Sequence, residues 1–298
     1  MRKDIDGIAF DLDGTLYPNY RFYIRLIPFI LKEPRLLWAL GKARRILRGD
    51  SALKHNQQPR PEAPPRTGER ALGLLFSRSG CTQGFNTSDQ RSALSALKLA
   101  RESVRKVLNP FCTNKAQNQP YYTEADKAVT GSFYERQSCL MGKILKRDPG
   151  EIQEKTERLI YRGWEPLFKG LRLFPLVKET IQIFRDEGVK TGLLSDFPPE
   201  MKLEYLGLSG LWDTVLCSET FGFLKPDPVP FAELAFRMGI KPERLLYVGN
   251  NITYDIEGAR NAGLQAALIC SSRLKKHYRG NAALVFSNYR QLYNYMLG

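Results

Sequence analysis

The order of apolar and amphipathic segments in the second half of the chain restricts its fold more than any other sequence feature. Beyond Phe174 and Pro175, short apolar segments with the length of buried strands alternate with segments whose apolar residues have helical spacing. This alternation is typical of a parallel sheet covered by helices on both faces, so we predict an α/β protein. The predicted strands are Val189–Leu194, Val215–Cys217, Arg244–Val248, Gln265–Ile269 and Ala282–Phe286, and the predicted helices are Pro175–Asp186, Glu200–Leu206, Pro230–Met238 and Asp255–Ala262.

One further strand is predicted far from the others, at the beginning of the sequence. Ile5–Phe10 is a short apolar-rich segment followed by the letters DLDGT, a pattern typical of a buried strand that leads into a turn. The long segment between this strand and the next has to be inserted into the α/β domain. We therefore place the α/β core at residues 1–17 and 171–298, and an inserted helical domain at residues 18–170.

The two ends of the inserted domain have helical patterns. Two helices are predicted within Tyr20–Arg48, with interruptions at Pro28 and Pro34, because proline interrupts the hydrogen bonding of a helix. A second helical region is predicted over Thr123–Gly170, with a break and a new helix start at the letters DPG that begin at Asp148.

The middle of the inserted domain is basic and poor in regular patterns. Residues 51–120 contain a proline-rich linker-like stretch and a Gly, Ser and Thr-rich stretch, and only Arg91–Leu108 has helical spacing. The chain has a formal net charge of +14, and most of the excess lies between Pro18 and Glu135. This charge is typical of a solvated basic face, and attraction of an anionic substrate, lipid or nucleic acid is the alternative.

Composition also bears on the cellular setting. The most apolar stretch, Phe22–Leu40, contains four charged side chains, so we predict no membrane span. The chain has five cysteines without CxxC spacing, which favours a reducing compartment, and we predict a cytoplasmic location. We predict that His55 and His277 are surface residues, because neither lies at one of the strand ends that carry the candidate site residues, and catalysis by histidine is not indicated.

Polar residues follow four of the predicted strands at the point where each strand ends. In open α/β sheets, binding sites form at the carboxyl ends of the strands. These positions carry two acids separated by one residue, a hydroxyl beside an acid, a lysine beside a proline, and an asparagine with a later acid. Taken singly, each group also fits a turn, a surface loop or a helix cap. The residues are Asp11 and Asp13, Ser195 and Asp196, Lys225, and Asn250 and Asp255.

The order of these groups resembles the haloacid dehalogenase superfamily, in the branch that carries a helical cap inserted after the first motif. The resemblance covers residues 1–17 and about 171–298. It rests on the sequences FDLDGTL, LLSDF, LGLSGLWDTVLCSETFGFLKPDPVPF and YVGNNITYDIEGARNAG. It implies a Rossmann-like parallel sheet core, with residues 18–170 as the cap.

The resemblance also implies a role for each motif residue. Asp11 would attack phosphorus as a nucleophile and Asp13 would act as general acid and base. Ser195 would hold a phosphoryl oxygen and Lys225 would offset negative charge. Leu12, Thr15 and Asp196 are further predicted substrate-binding residues. The predicted ligands of Mg²⁺ are Asp11, Asp13, Asn250 and Asp255.

Asn250 departs from the family pattern, which usually has an acid at this position. An asparagine offers one oxygen without a charge, so we expect weaker metal binding, partly compensated by Asp255. Asp13 in turn favours phosphoryl transfer, because the dehalogenating members lack this second acid.

The predicted function is magnesium-dependent hydrolysis of a small-molecule phosphate monoester through an aspartyl-phosphate intermediate. The expected partner is a small phosphorylated metabolite, and binding of nucleic acid is not favoured by any aromatic and basic motif. Two alternatives stay open at this point. One is a phosphomutase or another hydrolase of this superfamily, and the other is a weakly active fold that serves as a module for binding anions or nucleic acid. Neither the phosphate ester nor the oligomeric state follows from the sequence.

Overall fold

A parallel sheet forms the centre of the protein in the computed structural model, which describes Arg2, residues 4–49 and residues 131–298. The sheet of the described residues has six strands in the order β3-β2-β1-β4-β5-β6, and every neighbouring pair is parallel. This arrangement confirms the predicted α/β class with a Rossmann-like core. The strands are β1 Gly7–Phe10, β2 Lys190–Ser195, β3 Thr214–Cys217, β4 Leu245–Gly249, β5 Gln265–Ile269 and β6 Leu284–Phe286.

Strand β1 lies between β2 and β4, where the direction of the strand order reverses. Its last residue, Phe10, pairs with Leu193 on one side and with Val248 on the other. A crevice forms at such a switch point beyond the carboxyl ends of the strands, and ligands bind there in open α/β sheets. The register therefore brings the ends of β1, β2 and β4 to one edge of the sheet.

Hydrophobic burial explains why these segments form central strands. All residues of β1 and β4 are buried, as expected for strands covered on both faces. The core on one face includes Leu194, Leu234 and Leu268, with Phe231 packed edge-to-face on Tyr247 at 4.9 Å between ring centroids.

The helices agree with most of the predicted segments. The described α-helices are α1 Asn19–Lys32, α2 Pro34–Leu47, α3 Phe133–Leu145, α4 Pro149–Thr156, α5 Val177–Asp186, α6 Glu200–Tyr205, α7 Pro228–Met238, α8 Gly258–Asn261 and α9 Tyr289–Leu297. Asp148 caps α4 by accepting the Glu151 N–H at 2.9 Å, which explains the predicted break.

Two sequence predictions about helices were wrong in detail, and one helix was missed. Pro28 lies inside α1, and only Pro34, as the first residue of α2, separates two helices. The helical segment begins at Ile252, three residues before the predicted start at Asp255, and its first part, Ile252–Glu257, is a π-helical turn that precedes α8. Helix α9 was not predicted, although its residue Asn288 is a capping residue that accepts the Gln291 N–H.

The described residues fall into two compact units. One unit contains residues up to Phe22 together with Glu165–Gly298, and thus the whole sheet. The described part of the other unit begins at Tyr23 and ends at Trp164. These limits lie within a few residues of the predicted ones, and the prediction that residues 18–170 act as a cap stays a prediction.

The second unit is held together by α2, α3 and α4. A buried polar chain links α2 to α3, since Arg44 Nη1 donates to Gln137 Oε1 at 3.4 Å and Gln137 Nε2 donates to Tyr161 Oη at 3.2 Å. Lys155 forms an ion pair with Glu33 at 2.8 Å. Helix α3 begins with a capping box between Ser132 and Glu135.

Several predictions lie outside the described residues. They are the basic insertion at residues 51–120, the helix at Arg91–Leu108, the start of the helical region at Thr123 and the surface position of His55. In the ranges that are described, no helix has the length and apolar character that crossing a membrane requires.

Two phenylalanines on α7 test the assignment of the core. Phe231 is fully buried, whereas Phe236 is 79% exposed. Replacing Phe231 with alanine removes a large side chain from the core, so we expect the free energy of unfolding to fall by about 3–5 kcal/mol. Phe236→Ala on the same helix should change it by less than about 0.5 kcal/mol. Urea denaturation measures both variants, and equal losses would contradict the packing described here.

Candidate active site

The turn after β1 brings two acids to the edge of the sheet. The Asp11 N–H donates to Val248 O at 2.9 Å, which extends the ladder by one residue before the chain turns. Gly14 in this turn has a φ of 88°, and a Cβ there would lie 2.0 Å from Asn250 Nδ2. Only glycine fits, both because of the left-handed backbone and because Asn250 approaches so closely.

Lys225 forms the centre of a buried charged cluster at this edge. Its Nζ donates to Asp11 Oδ1 at 2.7 Å, to Asp255 Oδ1 at 2.8 Å and to Tyr247 Oη at 3.1 Å. Thr15 Oγ1 donates to the other oxygen of Asp11 at 2.9 Å. Both oxygens of Asp11 are therefore held, one by Lys225 from a distant segment and the other by Thr15 from the same turn.

The electrostatics of this cluster leave the Asp11 carboxylate short of positive charge. Burial, together with the negative charges of Asp255 and Asp13, raises the pKa of Asp11 to about 7, although Lys225 acts in the opposite direction. Burial lowers the pKa of Lys225, but Asp11 and Asp255 outweigh this effect and raise it well above its usual value. Lys225 is therefore charged, and a single ammonium group is shared by two carboxylates.

Asp13 is held by a second set of residues. Lys202 Nζ donates to Asp13 Oδ2 at 2.7 Å, and the Tyr17 hydroxyl donates to Asp13 Oδ1. The main-chain oxygen of Asp13 accepts from Asn19 Nδ2 at 3.3 Å and from Asn250 Nδ2 at 3.4 Å. The predicted general acid and base thus has both a fixed side chain and a fixed carbonyl.

The fourth motif, YVGNNITYDIEGARNAG, supplies Asn250 near Asp13 and Asp255 near Lys225. Asp255 Oδ2 accepts the N–H groups of Asn250 at 3.1 Å and of Asn251 at 3.0 Å, while its other oxygen accepts from Lys225. Asp255 therefore holds the loop and the lysine. Binding of a metal ion by Asp255 stays a prediction, because Asp255 would have to exchange one of these hydrogen bonds for the ion.

Three further predicted substrate-binding residues, Ser195, Asp196 and Leu12, lie at the same edge and differ in their hydrogen bonds and burial. Ser195 is fully buried and its Oγ accepts the Phe197 N–H at 3.2 Å, so its predicted contact with a phosphoryl oxygen stays a prediction. Asp196 Oδ1 accepts the main-chain N–H of Lys225 at 3.0 Å and so fixes the lysine loop. Leu12 is fully buried, so its predicted role in substrate binding stays a prediction.

Four residues of the cluster were missed by the sequence analysis: Tyr17, Asn19, Lys202 and Tyr247. The Tyr247 hydroxyl accepts from Lys225 and donates to Leu194 O at 3.1 Å, in a strand that otherwise looks like plain core. Only Tyr17 and Asn19, which follow the first motif closely, had a positional signal. Lys202 comes from a segment without a chemical motif, and Tyr247 begins the motif YVGNNITYDIEGARNAG at a position to which no role was assigned.

The comparison with protein families agrees with this geometry. A family model described as a haloacid dehalogenase-like hydrolase matches residues 5–263. The chain belongs to this family. The predicted resemblance is therefore confirmed, and the protein is a hydrolase-family member with the motif residues gathered at the switch point of its sheet.

Two curated relatives of this haloacid dehalogenase-like protein are named phosphatases. A glyceraldehyde 3-phosphate phosphatase from Methanothermobacter thermautotrophicus is 30% identical over 198 residues, which cover 64% of this chain and 80% of the relative. A phosphoglycolate phosphatase from Shigella dysenteriae serotype 1 is 30% identical over 264 residues, which cover 88% of this chain and 79% of the relative.

A solved structure shares the fold. The crystal structure of a HAD phosphatase from Thermococcus onnurineus matches with a TM-score of 0.51 at 16% sequence identity, and the match covers 99% of each chain. At this level of identity the likeness concerns the fold alone.

The family implies a metal ion, and the residues beside Asp11 fit a hard cation. The Asp11 carboxylate, the Asp13 carbonyl and the Asn250 amide are oxygen-bearing groups from two adjacent strand ends, and such donors suit Mg²⁺. The Asn250 amide would turn so that its oxygen faces the ion. No group of three or more His, Cys, Asp or Glu side chains arranged for a metal occurs among the described residues, so a carbonyl and an amide would have to take part.

Removal of the Lys225 ammonium tests the buried cluster. Lys225→Met would leave Asp11 and Asp255 buried without their shared cation, so the free energy of unfolding should fall by about 3 kcal/mol or more. Lys241→Met, at an exposed lysine, should change it by less than about 0.5 kcal/mol. Chemical denaturation of the two variants makes the comparison, and similar stabilities would show that the ammonium does not hold the carboxylates together.

Proposed function

We propose that the protein is a magnesium-dependent phosphatase that hydrolyses a small-molecule phosphate monoester, with Asp11 as the nucleophile. The observation that carries this proposal is the pair of fixed acids, Asp11 and Asp13, of which only Asp11 contacts the buried Lys225. A buried acid that is held beside a cation suits attack on an anionic phosphoryl group, and the more exposed acid two residues away suits proton transfer to and from the ester oxygen. The phosphatase names of the relatives support the same reaction.

In the first step, an Asp11 oxygen forms a bond to phosphorus while the bond from phosphorus to the ester oxygen breaks. The leaving oxygen takes a proton from the Asp13 carboxyl group and departs as an alcohol. Lys225 offsets the negative charge that gathers on Asp11 and the phosphoryl group, and the Ser195 hydroxyl donates to a phosphoryl oxygen. The product of this step is a phosphorylated Asp11.

In the second step, water attacks phosphorus and gives a proton to the Asp13 carboxylate. The bond from phosphorus to the Asp11 oxygen breaks, which releases inorganic phosphate and restores the Asp11 carboxylate. Asp13 is again protonated and ready for another ester. The same two acids therefore serve both steps, as microscopic reversibility of the proton transfers requires.

We further propose that Asp11, the Asp13 carbonyl and Asn250 would hold the magnesium ion. When bound, the ion supplies positive charge that neutralises the phosphoryl oxygens and the buried Asp11. This addition suits a cluster in which a single ammonium group is shared by two carboxylates.

Small alkyl phosphates are the proposed substrate class. Phosphoglycolate and glyceraldehyde 3-phosphate, which the relatives' names mention, are both esters of alcohols, whose departure needs a proton from a group such as Asp13. The proposed location is the cytoplasm, which the free thiols of Cys139, Cys217 and Cys270 support.

Substitution of the nucleophile tests the reaction class. Asp11→Asn should lower the release of inorganic phosphate at saturating magnesium by at least about 10³-fold, because an amide does not attack phosphorus. Asp186→Asn, at an exposed position of α5, is the matched control and should keep the wild-type rate. Full activity of Asp11→Asn would end the proposal. Because the assay measures free phosphate, it distinguishes hydrolysis from transfer of the phosphoryl group to a sugar.

A charge change at the fourth motif tests the metal assignment. Asn250→Asp should lower the half-saturating magnesium concentration by about tenfold, because a carboxylate binds Mg²⁺ more strongly than an amide does. Asn251→Asp adds the same charge one residue further along, where the side chain instead accepts the Tyr254 N–H as a helix cap. A magnesium titration of the phosphatase rate that shifts equally for both variants would reject Asn250 as a ligand.

A further inference from the structure

A second lysine lies close to the reacting groups, outside the motifs that the sequence analysis identified. Lys202 belongs to helix α6, which follows β2, and its side chain is only 9% exposed. Its Nζ lies 2.7 Å from Asp13 Oδ2 and contacts no other carboxylate in the described residues. The mechanism proposed above does not use this lysine.

We infer that Lys202 is a positioning residue for phosphate-ester hydrolysis, one that holds the Asp13 carboxyl group in the direction from which it protonates the leaving oxygen. This inference rests on the proposed function and extends it to a residue that has no assigned role. Lys202 would act through Asp13 and would not touch the substrate itself.

The surroundings of the ammonium group show that its position is specified. Nζ lies over the Phe168 ring at 5.1 Å from its centroid and over the Phe197 ring at 5.3 Å. Two aromatic faces replace part of the water lost on burial through cation–π attraction, and Asp13 supplies the counter-charge. A lysine that merely covered apolar surface would extend its ammonium group into solvent.

The side chain of Asp13 is more exposed than the lysine that binds it. Its side chain is 33% exposed, whereas the Lys202 side chain behind it is 9% exposed. Tyr17 and Lys202 each donate to a different oxygen of the carboxyl group, which restricts its rotation. Asp13 is therefore the more accessible of the two side chains, and Lys202 can influence the reaction through the orientation of that carboxyl group.

The two lysines of the site have separate tasks in this arrangement. Lys225 binds the nucleophile Asp11 as well as Asp255. Lys202 binds Asp13, the proposed proton donor to the leaving oxygen. Loss of Lys202 should therefore weaken protonation of the leaving oxygen and leave the attack on phosphorus largely intact.

Leaving groups of different basicity distinguish these two effects. An alkoxide is a strong base and departs only with a proton, whereas para-nitrophenolate is a weak base and departs without one. A residue that positions the proton donor should matter for an alkyl phosphate and matter little for para-nitrophenyl phosphate.

The experiment compares kcat and KM of wild type, Lys202→Met and Lys202→Arg on two substrates at saturating magnesium. The substrates are para-nitrophenyl phosphate and the alkyl phosphate that wild type hydrolyses fastest in a panel that includes phosphoglycolate. Lys241→Met serves as the control, because Lys241 is exposed and lies before β4, at the opposite edge of the sheet. Circular dichroism and thermal melting verify that each variant is folded.

For Lys202→Met we expect kcat on the alkyl phosphate to fall by about 10- to 100-fold, with less than about a threefold change on the aryl phosphate and little change in KM. Lys202→Arg keeps the cation and should recover part of the loss. An equal fall on both substrates, no fall on either, or a rise in KM with unchanged kcat would overturn the inference. If Lys202→Met does not fold, Lys202→Arg takes its place. The ratio of its kcat on the alkyl phosphate to its kcat on the aryl phosphate is then compared with that of wild type, and equal ratios count against the inference. If wild type hydrolyses neither substrate, the proposed function fails and this inference fails with it.

Discussion

The buried ammonium group of Lys225 is the interaction on which the rest of the active site depends. It joins Asp11 from the first strand end to Asp255 from the fourth motif, at 2.7 and 2.8 Å, and it also contacts Tyr247. Carboxylates as deeply buried as these are unfavourable without a nearby cation, because burial opposes their charge. The lysine lowers this penalty, and the negative charge that remains explains why a metal ion suits the site.

The sheet makes this cluster possible because its strand order reverses beside β1. Residues that follow β1, β2 and β4 meet at one edge, and the contact between Lys225 and Asp11 joins positions 214 residues apart in the sequence. Two local features let them approach closely. Gly14 has no side chain to collide with Asn250, and Asp255 binds the main-chain N–H groups that begin the loop after β4. Packing of the core thus fixes the directions of the reacting groups before any substrate arrives.

The sequence was sufficient to predict the sheet and most of the motif residues. Apolar strands between helices predict a parallel sheet, and the carboxyl ends of its strands predict where Asp11, Ser195, Lys225 and Asn250 lie. The contacts of Lys202 and Tyr247 could not be predicted, because a lysine in a short helix and a tyrosine in a strand have no distinctive spacing. Their roles arise only when tertiary packing places Nζ of Lys202 beside Asp13 and the Tyr247 hydroxyl beside Lys225. Helix α9 was missed although Tyr289, Leu292 and Met296 have the spacing of one helical face, because the prediction ended with the last strand.

The proposed mechanism requires a covalent bond between Asp11 and phosphorus. The most direct test mixes the protein with excess phosphoglycolate and magnesium, quenches the reaction with acid within milliseconds, and maps phosphorylation by peptide mass spectrometry. The account predicts that the peptide containing Asp11 gains the mass of one phosphoryl group, and that an Asp13→Asn protein gains it more slowly. Turnover of the ester with an unmodified Asp11 peptide at every quench time, or with phosphorylation at another residue, would contradict the account.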